Sequence, residues 1–216
     1  MFIIELLSQP VNFLYFIIAL IIGITVHEFA HAWSAFKLGD PTPKKMGRLT
    51  LNPLAHLDPL GTLFLLLAGF GWGKPVVYNP AYFRKQKSAI LLTSFSGAIA
   101  NIICAFIFSI PYRLNLYYNL GLDQYWFFTL FAFIAEINLI LAAFNILPIP
   151  PLDGSKIFYL FLNREQIYQF ERFGPTILFA VLFISLISPF NFLGYVISHI
   201  SNILIYLVRT FPSPPV

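Results

Sequence analysis

His27-Glu28-Phe29-Ala30-His31 stands inside an apolar run from Phe13 to Phe36. On a helix, two histidines four apart lie on one face, one turn above the other. That spacing lets both imidazoles reach one divalent ion, and zinc takes nitrogen ligands in a tetrahedral shell. Glu28 is one step round the helix, close enough to take a proton from an activated water. The plain alternative is a pair of satisfied core histidines and a chance five-residue pattern. Ionisable groups inside a membrane span are costly and point to function. The chain has only four histidines, and two of them are here.

The pattern H-E-x-x-H on a helix is also a signature of zinc-dependent peptide hydrolysis. Its surroundings are those of a membrane protein. Of the 216 residues, 58% are hydrophobic and 10% charged, and the mean hydropathy is +0.78. Several apolar runs approach or exceed the length that crosses a bilayer. The net charge of +4 is not a nucleic-acid signal, so no nucleic-acid partner is expected. The single cysteine, Cys104, lies in an apolar run and reads as a small buried hydrophobe. The N-terminus lacks a basic stretch and its first apolar run is long, so no cleavable signal peptide is expected.

Taken in order, Phe13–Phe36 is the first span. Met46–Pro53 alternates loosely and predicts a strand or hairpin arm. Leu60–Gly71 is apolar but short, as in a re-entrant segment. Ala89–Ile110 predicts a second span ended by Pro111, and Tyr125–Leu147 a third ended by Pro148, Pro150 and Pro151. Pro175–Ser188 and Phe192–Val208 are two further apolar helices. The fold class expected is an all-α polytopic membrane protein. It has about five transmembrane helices, a re-entrant segment and a short β-hairpin near the site. One integral-membrane domain covers 1–208, with a catalytic core at about 11–156 and a disordered tail at 209–216.

Charge sets the expected topology, because cytoplasmic loops are rich in Lys and Arg. If Leu60–Gly71 dips in and returns, twelve of the 13 basic residues share one face, and only Arg113 lies opposite. That places the N-terminus outside and the histidines toward the cytoplasmic side of a cell membrane.

The third span closes with Asn145-Ile146-Leu147-Pro148-Ile149-Pro150-Pro151-Leu152-Asp153-Gly154. Its prolines stop the helix and stiffen an extended chain. Two His plus one carboxylate, with a fourth position open to water, is a catalytic zinc set. Asp153 is the best-placed carboxylate; the plain alternative is an Asp in a helix-terminal loop.

These residues resemble the site-2 protease family of intramembrane zinc metalloproteases. The likeness is to the compact bacterial members without PDZ or CBS domains. It runs through His27–His31, Gly47–His56, Asp58–Thr62, Phe70–Val76, Gly97–Asn101, Asn138 and Asn145–Gly154. Where relatives usually read Gly-Pro-x-Ala-Asn, this chain has Ala98 in place of the proline. The resemblance implies one zinc per chain on His27, His31 and Asp153, with Glu28 as acid-base. The expected partners are membrane-spanning protein substrates in the lipid bilayer, cut as in regulated intramembrane proteolysis.

Ser94, Gly97, Ala98, Asn101 and Ala105 form a small-residue stripe that lets membrane helices approach closely. Asn101 and Asn145 are candidate donors to a substrate carbonyl or its oxyanion, with interhelical hydrogen bonding as the alternative. Asn138 reads as structural. His56 is a candidate second-tier group beside the metal. Glu136 falls near the bilayer middle and needs a partner, and His199 reads as structural. The rival class is a non-enzymatic metal transporter or metal-sensing membrane protein, which has no need of a general base at Glu28. A haem-binding bundle is weaker still, because His27 and His31 share one face.

Overall fold

The computed structural model describes residues 9–68, 73–122, 125–188 and 191–210. Among these residues seven helices follow in order: α1 (Pro10–Lys37), α2 (Thr42–Lys45), α3 (Pro59–Ala68), α4 (Gln86–Tyr118), α5 (Trp126–Ile146), α6 (Arg164–Ile187) and α7 (Phe192–Thr210). Short 3-10 segments lie at Pro53–Ala55, Pro80–Tyr82 and Asp153–Leu160. Among the described residues four helices are long and apolar enough to cross a membrane: α1, α4, α5 and α6. The described residues therefore form an all-helical, multi-pass membrane fold.

Local chemistry explains the ends of α1. Pro10 sits in its first turn, where a missing N–H is harmless, and Lys37 in its last turn faces the carbonyl end. Gly39, at φ +106°, takes the left-handed turn that leads the chain away. Asp40, fully buried, then accepts from Thr42 N (2.9 Å) and from Asn79 N (2.6 Å). This carboxylate ties the end of α1 to the loop before α4.

α1, α4 and α5 make the core. Ala19, Cys104 and Ile134 bury together at its centre. Tyr15 rings Phe133 at 6.0 Å, and Gly23 lies against Leu141, so α1 and α5 run the same way. α4 runs opposite, since His27 meets Asn101 while the later His31 meets Thr93. The small-residue stripe is buried along α4, which lets the three backbones approach closely. α7 covers the far side, with Leu204 and Ile205 against Ala105 and Leu139. α6 and α7 meet the proline loop through Leu147, Leu152, Leu178 and Leu193.

Three sequence expectations change. Among the described residues there is no strand, so the β-hairpin near the site is not formed. Gly47 turns at φ +69°, and a lone antiparallel bridge joins Leu57 to Gly73. The reason is local capture of the backbone. Asn52 Oδ1 accepts from Leu54 N (3.1 Å), and Thr50 Oγ1 accepts from Asn52 N (3.1 Å). His56 Nε2 bonds Thr50 O (2.8 Å), and the buried Arg48 donates to Ala55 O and to Pro75 O (2.9 Å). Side chains have taken the groups that a ladder would use.

The second change is at Pro111, where α4 continues to Tyr118 instead of stopping. Membrane helices tolerate an internal proline when neighbours re-satisfy the freed backbone. The third is that α6 begins at Arg164, well before Pro175. Asn163 and Gln166 form a reciprocal capping box there. The Leu60–Gly71 segment is helical as α3 up to Ala68, and its last residues lie outside the described set. The expected disordered tail also lies largely outside it.

Candidate metal centre

α1 presents His27 and His31 one turn apart, both buried. Asp153 arrives from the other end of the fold, as the first residue of the 3-10 segment after the proline loop. The ligand-capable atoms converge. His27 Nε2 is 3.0 Å and His31 Nε2 3.1 Å from Asp153 Oδ2, and the two Nε2 atoms are 2.9 Å apart. A tetrahedral zinc with bonds of about 2.0–2.2 Å spaces its ligands by roughly 3.3 Å, so this triangle suits one ion after slight relaxation.

The far sides of the rings decide what fills the triangle. His27 Nδ1 lies 2.7 Å from Asn101 Oδ1, and His31 Nδ1 lies 2.7 Å from Thr93 O. Both partners are acceptors, so both Nδ1 atoms carry the proton and donate. Each Nε2 then offers a lone pair. Asp153 Oδ2 is buried and receives no hydrogen bond. With both rings neutral, the three lone-pair atoms lie within 3.1 Å of one another and repel unless a cation sits between them. The donor set therefore fits a divalent metal, and no other His/Cys/Asp/Glu group among the described residues does.

The amide of Asn101 cannot be turned round. Its Nδ2 donates to Gly23 O (3.0 Å) and to Asn138 Oδ1 (2.8 Å). Asn138 Nδ2 in turn donates to Ile134 O (2.8 Å). Two backbone carbonyls thus fix two amides, and the amides fix the tautomer of His27. Both amide protons of Asn101 are engaged by protein. Asn138, structural by sequence, is linked to the site by its place on a helix facing Asn101, which only packing reveals.

Two glycines permit the approach. A Cβ on Gly97 would stand 2.5 Å from His27 Cε1 and 2.6 Å from His31 Nε2, so both rings pack directly against the α4 backbone. A Cβ on Gly154 would collide with the Ile146 carbonyl, so the aspartate arm folds directly onto the end of α5.

Glu28 lies on the same cavity as His27, His31 and Asp153, which encloses about 940 Å³. Its Oε2 accepts from Val76 N at 3.1 Å, which orients the carboxylate. Gly73 passes beside Oε1. Asn145 also lines the cavity, with one amide proton given to Leu141 O (3.0 Å). His56 is fully buried in its loop, holds Thr50 O through Nε2, and is not part of the ligand group. On the cavity's other edge, Lys156 Nζ meets Glu171 Oε1 (2.8 Å) and Tyr159 OH (2.7 Å), and Tyr159 also donates to Glu171. Burial, then the bond to Glu171, raises the Tyr159 hydroxyl above its usual range, so it stays protonated.

Comparisons with known proteins agree with this geometry. The chain is 43% identical over 182 residues to YwhC of Bacillus subtilis (strain 168), provisionally named a zinc metalloprotease; the match covers 79% of this chain and 80% of that one. It is 29% identical over 200 residues to Rip2 of Mycolicibacterium smegmatis, covering 85% and 70%. It is 33% identical over 154 residues to MJ0611 of Methanocaldococcus jannaschii, covering 68% and 71%. Both of these carry the same provisional name. No solved structure matches the chain. The profile of peptidase family M50 matches residues 115–188, the stretch that holds the aspartate arm. With that profile on one half of the site and the YwhC likeness over most of the chain, the protein belongs to peptidase family M50, the site-2 protease family.

Proposed function

We propose that the protein is an intramembrane zinc metalloendopeptidase whose zinc is held by His27, His31 and Asp153 and whose proton carrier is Glu28. The observation that carries this reading is the triangle of ligand-capable atoms of His27, His31 and Asp153 beside Glu28, on a large and mostly apolar cavity. When bound, zinc supplies Lewis acidity, polarising a carbonyl and making water acidic near neutral pH. Glu28, aimed by Val76 N, takes the water proton and passes it to the leaving amine. Asn101 and Thr93 hold the ligand rings in the tautomer that the metal needs. Asn145, with one amide proton uncommitted, is the candidate donor to the developing oxyanion.

The same reading carries an orientation with it. α1 and α5 end on one side, where Lys37–Lys87 and Lys156–Arg172 cluster, and that side is cytoplasmic by the positive-inside rule. The N-terminus is then outside. α7 starts beside Leu147 at the end of α5 and runs back toward Leu139 and Ala105, and the ten-residue α3 dips in and returns.

The test uses zinc-loaded protein in lipid vesicles with a membrane-spanning model peptide. Wild type should cut it. Glu28→Gln should keep one zinc per chain yet lose about 10²–10⁴ of the rate. A wild type that cuts no membrane peptide, or a Glu28→Gln protein of undiminished rate, overturns the proposal.

A further inference from the structure

Glu136 is the eleventh of the 21 residues of α5, hence roughly 15 Å from either end of the helix. Its side chain is exposed, on a stripe with Ala132 and Ile140. The flanking faces of α5 are taken. Phe133 and Leu141 meet α1, while Ala135 and Leu139 join the cluster with α7. The stripe therefore floors the gap between α1 and α7.

That gap runs into the metal cavity. Ile140 lines it from α5, Phe16, Leu20 and Ile24 from one face of α1, and Ile197 from α7. Glu136 lies one turn beyond Ile140, along an otherwise apolar groove. Among the described residues no hydrogen bond or ion pair reaches its carboxyl. A carboxylate held at mid-span without a partner is costly, and such groups mark recognition or transport paths.

We propose that Glu136 is a specificity-determining group for this groove, which receives the membrane-spanning segment of a protein substrate carrying a lysine or arginine near its middle. The proposal rests on the protease reading above. Charge complementarity selects the occupant. A cation at that depth is as costly as the carboxylate, and seating one against the other relieves both. A second copy of the chain related by a two-fold axis through this groove would set Glu136 against Glu136, like against like. Lipid amines stay at headgroup level, far from mid-span.

The axial register adds a distance. Gly23 is level with Leu141, so Glu28 is level with about Asn145. Glu136 is then roughly 13 Å further along the groove, or about nine helical residues. An extended substrate at about 3.3 Å per residue spans this with about four residues. The basic residue is therefore expected about four positions from the cut bond if the segment is extended between them, and about nine if it is helical.

The test uses full-length, zinc-loaded protein in phosphatidylethanolamine–phosphatidylglycerol vesicles. The probes are synthetic Leu/Ala peptides of about 25 residues, alike except for a central Lys, Met or Glu. For wild type, kcat/KM for the Lys peptide should exceed that for the Met peptide about tenfold, the scale of polar contacts between membrane helices. In Glu136→Gln that ratio should fall to about one, and in Glu136→Lys the Glu peptide should become the preferred one. Binding of the same labelled peptides to Glu28→Gln protein should show the same order without any turnover. Equal Lys/Met ratios in wild type and Glu136→Gln overturn the proposal, as does dimer formation through Glu136 that the peptides do not disturb. Failure of the protease reading looks different: wild type then cuts none of the three peptides.

Discussion

The two sides of the metal site are held by different physics. His27 and His31 are fixed by hydrogen bonds inside three closely packed helices, each ring with one acceptor on α4. Asp153 is fixed by backbone shape and apolar contact. Its arm is stiffened by Pro148, Pro150 and Pro151, seated on the end of α5 through Gly154, and clamped by Leu147 and Leu152 against Leu178 of α6 and Leu193 of α7. The comparison teaches that polar precision is used where the chain is helical and its backbone already satisfied. Shape is used where the chain is irregular. It also gives α6 and α7 a task, since the sequence offered no motif there: they hold the aspartate arm.

Breaking the arm outright should have the largest effect. Asp153→Ala leaves two ligands, and zinc should fall from one per chain to near zero after dialysis, read by metal analysis. Gly154→Ala forces a Cβ into the Ile146 carbonyl. It should give the same loss with Asp153 intact, which would show that the arm acts through backbone shape. Next comes the histidine side. Gly97→Ala puts a methyl 2.5 Å from His27 Cε1. Zinc affinity should drop about 100-fold or more, read by chelator competition, while helix content by circular dichroism stays the same or rises.

Asn101 sharpens the contrast. Asn101→Leu should weaken zinc about 10–100-fold. Asn101→Asp still accepts from His27 Nδ1–H and should recover much of that affinity. No such rescue is expected if the residue serves only packing. On the apolar side, Leu178→Ala removes a buried side chain from the clamp. It should cost about 2–5 kcal/mol of stability but only a few-fold in zinc affinity, because the arm keeps its prolines. Least of all, Lys156→Met breaks the pair with Glu171, whose side chain is 54% exposed. Such a pair is worth about 0–1 kcal/mol, so thermal unfolding in detergent should barely move.

Much of this was legible early because it depends on local spacing. Four-residue spacing puts His27 and His31 on one face in any helix, and a proline cluster ends α5 wherever it stands. The Asn163–Gln166 box that starts α6 was equally local and readable, yet Pro175 drew the boundary instead. The hairpin failed for a reason less visible in a pattern. The alternation of Gly47–Asn52 suits a strand, but the side chains of Thr50 and His56 take backbone groups within it first.

By itself, then, the sequence determined the apolar spans, the histidine pair with Glu28 between them, and the break that precedes Asp153. Each follows from chemistry within a few residues. Only the tertiary structure decided that Asn101 faces a ring instead of the cavity, that Asn138 locks it, that Gly97 makes room for both imidazoles, and that Glu136 has no polar partner among the described residues on a groove leading to the histidine cluster. Those facts depend on which helix faces sit opposite one another, and no local rule fixes that across more than a hundred residues of chain.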